Sequence, residues 1–517
     1  MRARSSRLDI IPALTAITVS TRVPFASYTA LACRRSRSVI FGSERRRGFK
    51  MNEIHVAVIG SGIGGLSVAL DLCNNGIRPV IFEKNAMHGG YATNFQRDGF
   101  RFEVSLHYVS PLFRVVLDRL GISRDVDLID LKKSAFVKCD EQEKACGISK
   151  FEFNDKGLSY VQYLISKYPG EEKSIRKLFS LGTEMLPMSD DLIINRTNPF
   201  AAMLKHPRSI PSTFKYIGKT SKNLLDELFV DENLKQEVSA LAIILGTPLD
   251  VMAAVPYIQT ATESYERGGF YIHGGSQHLV DVMRKRIEQL GGIFYMNSPV
   301  NKMKLSTDGM VESILARSKS FDVDSVIYCC DMSRLVNTII PQATLFKKEV
   351  RSLPVASAAS VVHLGLGIDV KNEYGLDGGD YAIKTPEMAF NIAIYSNVDP
   401  SCCKRGNSVI TLTGLGYDDF ERRSMKELNR VLPGIKKHVI VKEYMTPLDF
   451  ENLTWNAGGS FGGFQTTPLQ MRSPVPHETL VKNLFVAGQW TGVGAGYINT
   501  MLGGIETARL YSKKMNE

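Results

Sequence analysis

Apolar positions along residues 51–110 alternate between short solid runs and helix-spaced stripes. Val56 to Ile59 is an unbroken apolar run, as a strand covered on both faces requires. A helical apolar pattern follows, and Pro79 to Phe82 reads as a second buried strand. The alternation returns twice. Within 268–335, Leu279, Val282, Met283, Ile287 and Leu290 form the apolar stripe of a helix set between Gly274-Gly275 and Gly291-Gly292. A strand pair then carries Val300 and Val311 to Ala316, and Val323 to Asp331 reads as a further buried strand. Near the end of the chain, Leu484 to Ala487 is a buried strand, followed by a glycine-rich turn and a helix from about Thr500.

The remaining segments have a different pattern. Residues 111–267 are mostly helical by periodicity, whereas 336–479 hold alternating runs at Ala356–Gly365, Phe390–Tyr395 and Ser408–Thr413, suited to an antiparallel sheet. The prediction is an α/β protein. A discontinuous Rossmann-like nucleotide-binding domain comes from 53–110, 268–335 and 480–517. A substrate-binding domain of mixed or antiparallel sheet and helices comes from 111–267 and 336–479.

The first strand-to-helix junction carries the chemistry. Gly60, Gly62 and Gly65 have G-x-G-x-x-G spacing. Such glycines give a tight turn, a close approach of backbone to a pyrophosphate and close packing of helix on strand, while the helix N-terminus offers free N–H groups to phosphate. Glu83 ends the second strand 23 residues after Gly60, where a carboxylate can bind ribose hydroxyls. That acid disfavours a 2′-phosphate, so NADP is set aside and NAD and FAD remain. Gly89 and Gly90 complete an E-x5-G-G extension.

Composition adds little beyond confirming a folded body. The 517 residues suffice for two or three domains, and 44% hydrophobic with 22% charged content excludes a disordered chain. The net charge of +10 is local: residues 1–50 carry ten Arg and one Lys against Asp9 and Glu44, leaving 51–517 close to neutral. Nucleic acid is therefore not an expected partner. The Arg-rich, acid-poor segment 1–50 reads as a leader, disordered or a transit peptide, which implies an organelle (mitochondrion or plastid) if it belongs to the protein. With Met51 as the true start, the location is cytoplasmic or membrane-peripheral. A secretory signal over Ile10 to Thr21 is a third reading, diluted by Pro12.

The eight cysteines include no C-x-x-C and no zinc spacing, and Cys329-Cys330 and Cys402-Cys403 are vicinal. Buried thiols, a reducing compartment and no metal are expected. The longest apolar stretch, Val238 to Ile258, is broken by Gly246, Pro248, Asp250 and Pro256, so no transmembrane helix is expected. Residues 198–222 are free of acids and interleave Lys205, Arg208, Lys215, Lys219 and Lys222 with Phe200, Met203, Leu204, Ile210, Phe214 and Ile217. This segment is either a peripheral membrane contact or a solvated helical face with a core-facing stripe.

Taken in order, four passages carry a resemblance: VIGSGIGGLSVAL with FEKNAMHGG, GFRFEVSLHYV (Gly99 to Val109), Tyr265 to Met303, and NLFVAGQWTGVGAGYINTMLGGIETA (Asn483 to Ala508). The chain resembles the phytoene desaturase, carotenoid isomerase and retinol saturase group of FAD-dependent oxidoreductases over residues 54–512. The resemblance implies FAD, with Gly60, Gly62 and Gly65 at the diphosphate, Glu83 at the adenosine ribose and Gly89 and Gly90 along the phosphate channel. It further implies Val300 at the adenine, Gly488 and Gln489 at the ribityl region, and the helix after Gly496 aimed at the flavin ring. His107 and Tyr108 are the implied polar groups beside the reacting bond, and the Gly459 to Gly463 run would let backbone approach the ring.

Two departures stand out. Gln489 replaces a common Asp, and Val104-Ser105 replaces a common glycine. The implied reaction is hydride exchange between the flavin and a carbon of a hydrophobic polyene or isoprenoid lipid: desaturation, saturation or redox-neutral isomerisation, in an apolar tunnel. No second nucleotide fingerprint occurs, so the electron donor or acceptor is a partner, a quinone, oxygen or a transient nicotinamide. Alternatives are an amine-oxidase- or protoporphyrinogen-oxidase-like FAD oxidase and a non-catalytic flavin-binding protein.

Overall fold

The computed structural model describes residues 53–105, 108–131, 133–138, 147–152, 158–193, 199–239, 247–266, 269–385, 387–416, 419–492 and 494–517. The leader 1–50 and His107 lie outside these described residues.

Two seven-stranded sheets organise the chain. The first collects strands from three separate stretches. Glu53–Ile59 lies at its centre, parallel to Lys319–Tyr328 on one side and to Val80–Phe82 on the other. Val80–Phe82 continues in parallel to Ile293–Tyr295, and Val326 to Tyr328 run parallel to Leu484–Val486. Val300–Leu305 and Val311–Ala316 extend the sheet as an antiparallel pair. Val56, Ala57 and Val58 are fully buried, as the solid apolar run requires.

The register aligns the strand ends. Ile59 stands opposite both Phe82 and Tyr328, Phe82 opposite Tyr295, and Tyr328 opposite Val486. The residues that follow these strands therefore emerge together along one edge, where open α/β sheets bind ligands. Helix Ile63–Asn74 is buried from Ile63 through Cys73, matching its all-round apolar sequence. It packs against the last helix, Tyr497–Asn516, so closely that a side chain on Gly504 would begin 2.5 Å from the Gly64 carbonyl oxygen.

The second sheet runs Val439–Met445, Ala359–Leu366, Ser408–Leu415, Ala389–Ile394, Asp380–Lys384, Lys133–Lys138, Gly147–Glu152. It is antiparallel except where Asp380–Lys384 runs beside Lys133–Lys138. One face, with Val362, Leu364, Ile392, Ile410 and Leu412, forms a core with helix Phe420–Val431. The helices Glu172–Ile193 and Ala254–Glu266 belong to a separate helical core. Among the described residues no helix is long and apolar enough to cross a membrane.

The basic segment differs from its linear reading. Residues 199–222 form short helices in which Lys205 pairs with Asp191 at 2.7 Å, Lys215 with Glu227 at 2.5 Å and Lys222 with Asp226 at 2.6 Å. Acids from neighbouring segments supply the charge that the sequence window lacks. Phe200, Leu204 and Phe214 nevertheless remain exposed, at 70%, 68% and 64%.

Candidate functional site

The aligned strand ends open into a cavity of about 540 Å³, within the usual range for small-molecule sites. Gly60 follows the central strand with φ +99°, a region costly for other residues. A side chain there would also begin 2.4 Å from Cys330 Sγ. Gly65 needs its hydrogen for a different reason: a Cβ would sit 2.0 Å from the Gly60 carbonyl oxygen, so only glycine lets the helix meet the turn. Gly62 is the N-cap residue and supplies no side-chain cap, which leaves first-turn N–H groups for a ligand. The Gly89-Gly90 turn docks on this loop through the Gly62–Gly89 bridge, with the Gly89 N–H donating to the Ser61 carbonyl at 2.8 Å.

Glu83 is 7% exposed and held from both sides. The Ser61 backbone N–H and hydroxyl donate to its Oε2 at 2.9 and 2.8 Å, and the Asn85 N–H donates to Oε1 at 2.8 Å. Val300 starts its strand against the same cavity. Beside this turn, where a side chain on Gly64 would begin 2.9 Å from Gly488 Cα, Gly488 follows Leu484–Val486 with φ +92°, and Gly496 precedes helix Tyr497–Asn516, again without a side-chain cap. Two uncapped helix starts thus face one cavity, each with its positive dipole end toward it.

Of the residues expected from sequence, Gly60, Gly62, Glu83, Gly89, Gly90, Tyr108, Val300, Gly488, Gln489 and Gly496 all line this cavity. Gly65 stands behind it as the packing contact just described. Gln489 also donates its amide to the Ser460 carbonyl at 3.4 Å, tying it to the glycine-rich loop. Phe461 and Gly462 of that loop line the cavity. Tyr91 braces it: its hydroxyl donates to the Gly459 and Ser460 carbonyls at 3.2 and 3.0 Å, and its ring stacks on Phe461 at 4.6 Å. Burial pushes the Tyr91 hydroxyl up to about 12, so it stays a neutral donor.

Several lining residues escaped the sequence reading. Cys329 and Cys330 pack against the cores, as expected of buried thiols, and also form cavity wall beside Gly60 at the strand end, with burial raising both far above the usual thiol range. Lys84 and Arg334 flank Trp455, at 4.9 and 3.8 Å from the ring centre, and all three line the cavity near Glu83. Burial lowers the Lys84 ammonium from its ordinary value, opposed by the Glu83 carboxylate.

The cavity then continues between the second sheet and the helices. Val361, Asn391, Thr411, Thr413 and Asp380 supply the floor, and Leu186, Ser189, Asp190, Gln259 and Glu263 the lid. Asn391, Thr411 and Thr413 could have been found from sequence, because they occupy alternate positions that share one face of their strands. The expected apolar tunnel is thus partly polar: burial on both faces selects small and polar residues where the sheet faces a cavity instead of a core.

The glycine cradle, the buried acid Glu83 and the paired helix starts fit a dinucleotide flavin. Comparison with known proteins agrees. Residues 63–515 match the family of flavin containing amine oxidoreductases. The chain belongs to that family, and it is an FAD-dependent oxidoreductase. Relatives include an all-trans-retinol 13,14-reductase of Danio rerio, 24% identical over 84% of this chain and 82% of that protein. A chloroplastic prolycopene isomerase of Daucus carota is 20% identical over 89% and 80%. Among solved structures, putrescine oxidase bound to putrescine superposes with a TM-score of 0.63 at 16% identity, covering 90% of this chain and 99% of that one. Cyclohexylamine oxidase from Brevibacterium oxydans gives 0.62 at 13% identity, covering 90% and 100%. These structural likenesses show the shared fold.

Proposed function

We propose that this enzyme oxidises, reduces or isomerises the conjugated chain of a polyene or isoprenoid lipid. The observation that carries the reading is the continuation of the FAD cavity across the floor of the second sheet, past Ala359, Val361 and Leu415. An elongated substrate can lie there with one end beside the nucleotide-binding edge. The relatives named above, a retinol reductase and a prolycopene isomerase, support it from the chemistry of their own substrates.

FAD held in the cradle supplies the hydride acceptor or donor. The protein's own groups bind, orient and exclude water. First-turn N–H groups of helix Ile63–Asn74 would hold the diphosphate, and Glu83 the adenosine ribose. The uncapped start of Tyr497–Asn516 places a positive dipole end where negative charge can be stabilised. Tyr108 lies on the cavity wall, its ring packed against Gly269, and would orient substrate.

An amine substrate, as in the structural neighbours, calls for facing aromatic rings around an ammonium. Tyr91 and Phe461 instead stack on each other at 4.6 Å and 20° between planes, with no room for an ammonium between them. Trp490 is buried and donates to Asn456 Oδ1 at 3.2 Å. A polyene substrate also gives the exposed Phe200, Leu204 and Phe214 a use, as a peripheral contact with the bilayer that stores it. Flotation with anionic vesicles, lost on replacing these three by Ser, tests that contact.

The main test is anaerobic. The FAD-loaded chain is mixed with all-trans-retinol, a cis-carotene or putrescine, before and after chemical reduction of the flavin. Flavin absorbance that changes with a polyene and not with putrescine supports the reading. Bleaching by the amine alone overturns it.

A further inference from the structure

The cavity-facing side of the second sheet is graded. Register places Ala359 opposite Leu415, Val361 opposite Thr413 and His363 opposite Thr411, while Asn391 stands opposite Thr413 and Asp380 opposite Ala393. Moving two residues along each strand, about 7 Å, therefore leads from an apolar floor to a polar one. The apolar end packs with Tyr91 and Phe461.

The polar end is built, not incidental. Asn391 is 7% exposed, yet it lines the cavity, and its Oδ1 has no hydrogen-bond partner among the described residues. Its orientation is fixed: Nδ2 donates to Asp380 Oδ2 at 3.3 Å, and a carboxylate cannot accept from the amide oxygen. The free acceptor is therefore Oδ1. A buried acceptor left without a donor is costly, so one on a cavity wall calls for a donor from whatever fills the cavity. Thr411 and Thr413 add hydroxyl groups to the same floor, with Thr411 Oγ1 2.9 Å from His363 Nδ1.

We propose that Asn391, with Asp380, Thr411 and Thr413, binds the hydroxyl end of the substrate, so that the enzyme acts on an amphipathic polyene alcohol and not on a polyene hydrocarbon. This rests on the polyene reading above and adds the end group. A hydroxyl donates to Asn391 Oδ1 and accepts from a threonine hydroxyl at once. A hydrocarbon leaves the acceptor unmet, and an ammonium would meet Asn391 Oδ1 and the Asp380 carboxylate but offer the threonine hydroxyls no acceptor.

The test compares all-trans-retinol with its O-methyl ether and with retinylamine, each titrated into the FAD-loaded full chain and followed by flavin fluorescence. Retinol should bind about tenfold tighter than the ether, the effect of one buried hydrogen bond. The ratio should fall to about one in Asn391→Leu, and in Thr413→Val if the first variant loses its flavin. Equal binding of retinol and ether to the unmodified protein overturns the proposal and leaves the polyene reading standing. Tighter binding of the amine overturns it in favour of an ammonium site. No binding by any of the three overturns the polyene reading and this proposal with it.

Discussion

The carboxylate of Glu103 accepts the backbone N–H of Ser276 at 3.2 Å, joining residues 173 apart in sequence. Glu103 ends the strand Phe100–Glu103, and Ser276 begins the helix Ser276–Gln289 whose N-cap, Gly275, offers no side chain. Glu103 supplies the missing cap. Its Oε2 also accepts the Ser276 hydroxyl, and its Oε1 accepts the Tyr271 hydroxyl at 3.0 Å.

Glu103 is 1% exposed, and burial raises its carboxyl above the ordinary carboxylate range despite these donors. A carboxyl raised by folding contributes stability that is complete below its unfolded value and is lost as pH rises through the folded one. Glu103→Gln keeps an acceptor for Ser276 and a partner for Tyr271 without the buried charge, and should be at least as stable as the parent at neutral pH. Glu103→Ala strands three donors and should cost about 2–4 kcal/mol. Urea unfolding of the two variants at acid and neutral pH checks both statements.

The glycine cradle makes a sharper prediction. Gly65→Ala puts a methyl 2.0 Å from the Gly60 carbonyl, where backbone must move. Overpacking of this kind should cost about 1–3 kcal/mol and open the phosphate turn. Gly170→Ala is the control, because Gly170 is outside the left-handed region and a methyl added there would meet nothing within 4 Å. The flavin-to-protein absorbance ratio should fall in Gly65→Ala and hold in Gly170→Ala. Equal ratios would mean that the turn does not hold the diphosphate.

His88 gives the stability its acid limb. It is 8% exposed, lies edge-on to Phe294 at 4.8 Å, and burial with the nearby Arg284 charge pushes its imidazole down to about 4 from 6.5. Between those values the unfolded chain binds a proton that the folded one refuses, so stability falls as pH drops through this window. The span corresponds to about 3 kcal/mol. His88→Leu should flatten that part of the profile, measured as the urea midpoint against pH.

The parallel sheet was legible because strands covered on both faces must be apolar throughout, and Val56 to Ile59 and Leu484 to Ala487 are. The last helix starts at Tyr497 and not near Thr500, because Gly496 at φ +90° sets its first turn and the flanking glycines hid the apolar spacing. Pairing partners were not legible. Nothing in Lys133–Lys138 shows that it lies beside Asp380–Lys384, since strand periodicity reports which face is buried and not which strand is adjacent. For the same reason the Glu103 cap and the acids that pair with Lys205 and Lys215 could not be read from a local window, whereas Asp226, four residues after Lys222 on one helix, could. Glu83 and the glycines could, because the turn, helix and acid that bind one nucleotide lie within a single short stretch of chain.

Glu83 separates cofactor binding from folding. It already accepts from Ser61 and Asn85 in the protein, and it lines the cavity with Val300 and Phe82, where the proposed cofactor pose would put adenosine. Glu83→Gln turns an amide N–H toward either the Ser61 or the Asn85 N–H, a donor facing a donor, so even this conservative change should loosen the loop. Adenosine is the part of FAD that FMN lacks. Glu83→Ala should therefore weaken FAD about 10- to 100-fold more than it weakens FMN, the shared part of the loss coming from the loosened loop and the excess from losing charge-assisted hydrogen bonds to the ribose. Flavin fluorescence titrations of the apoprotein with FAD and with FMN read the ratio. Parallel losses for the two flavins would place Glu83 in support of the loop alone; an excess loss for FAD would place its carboxylate on the ribose.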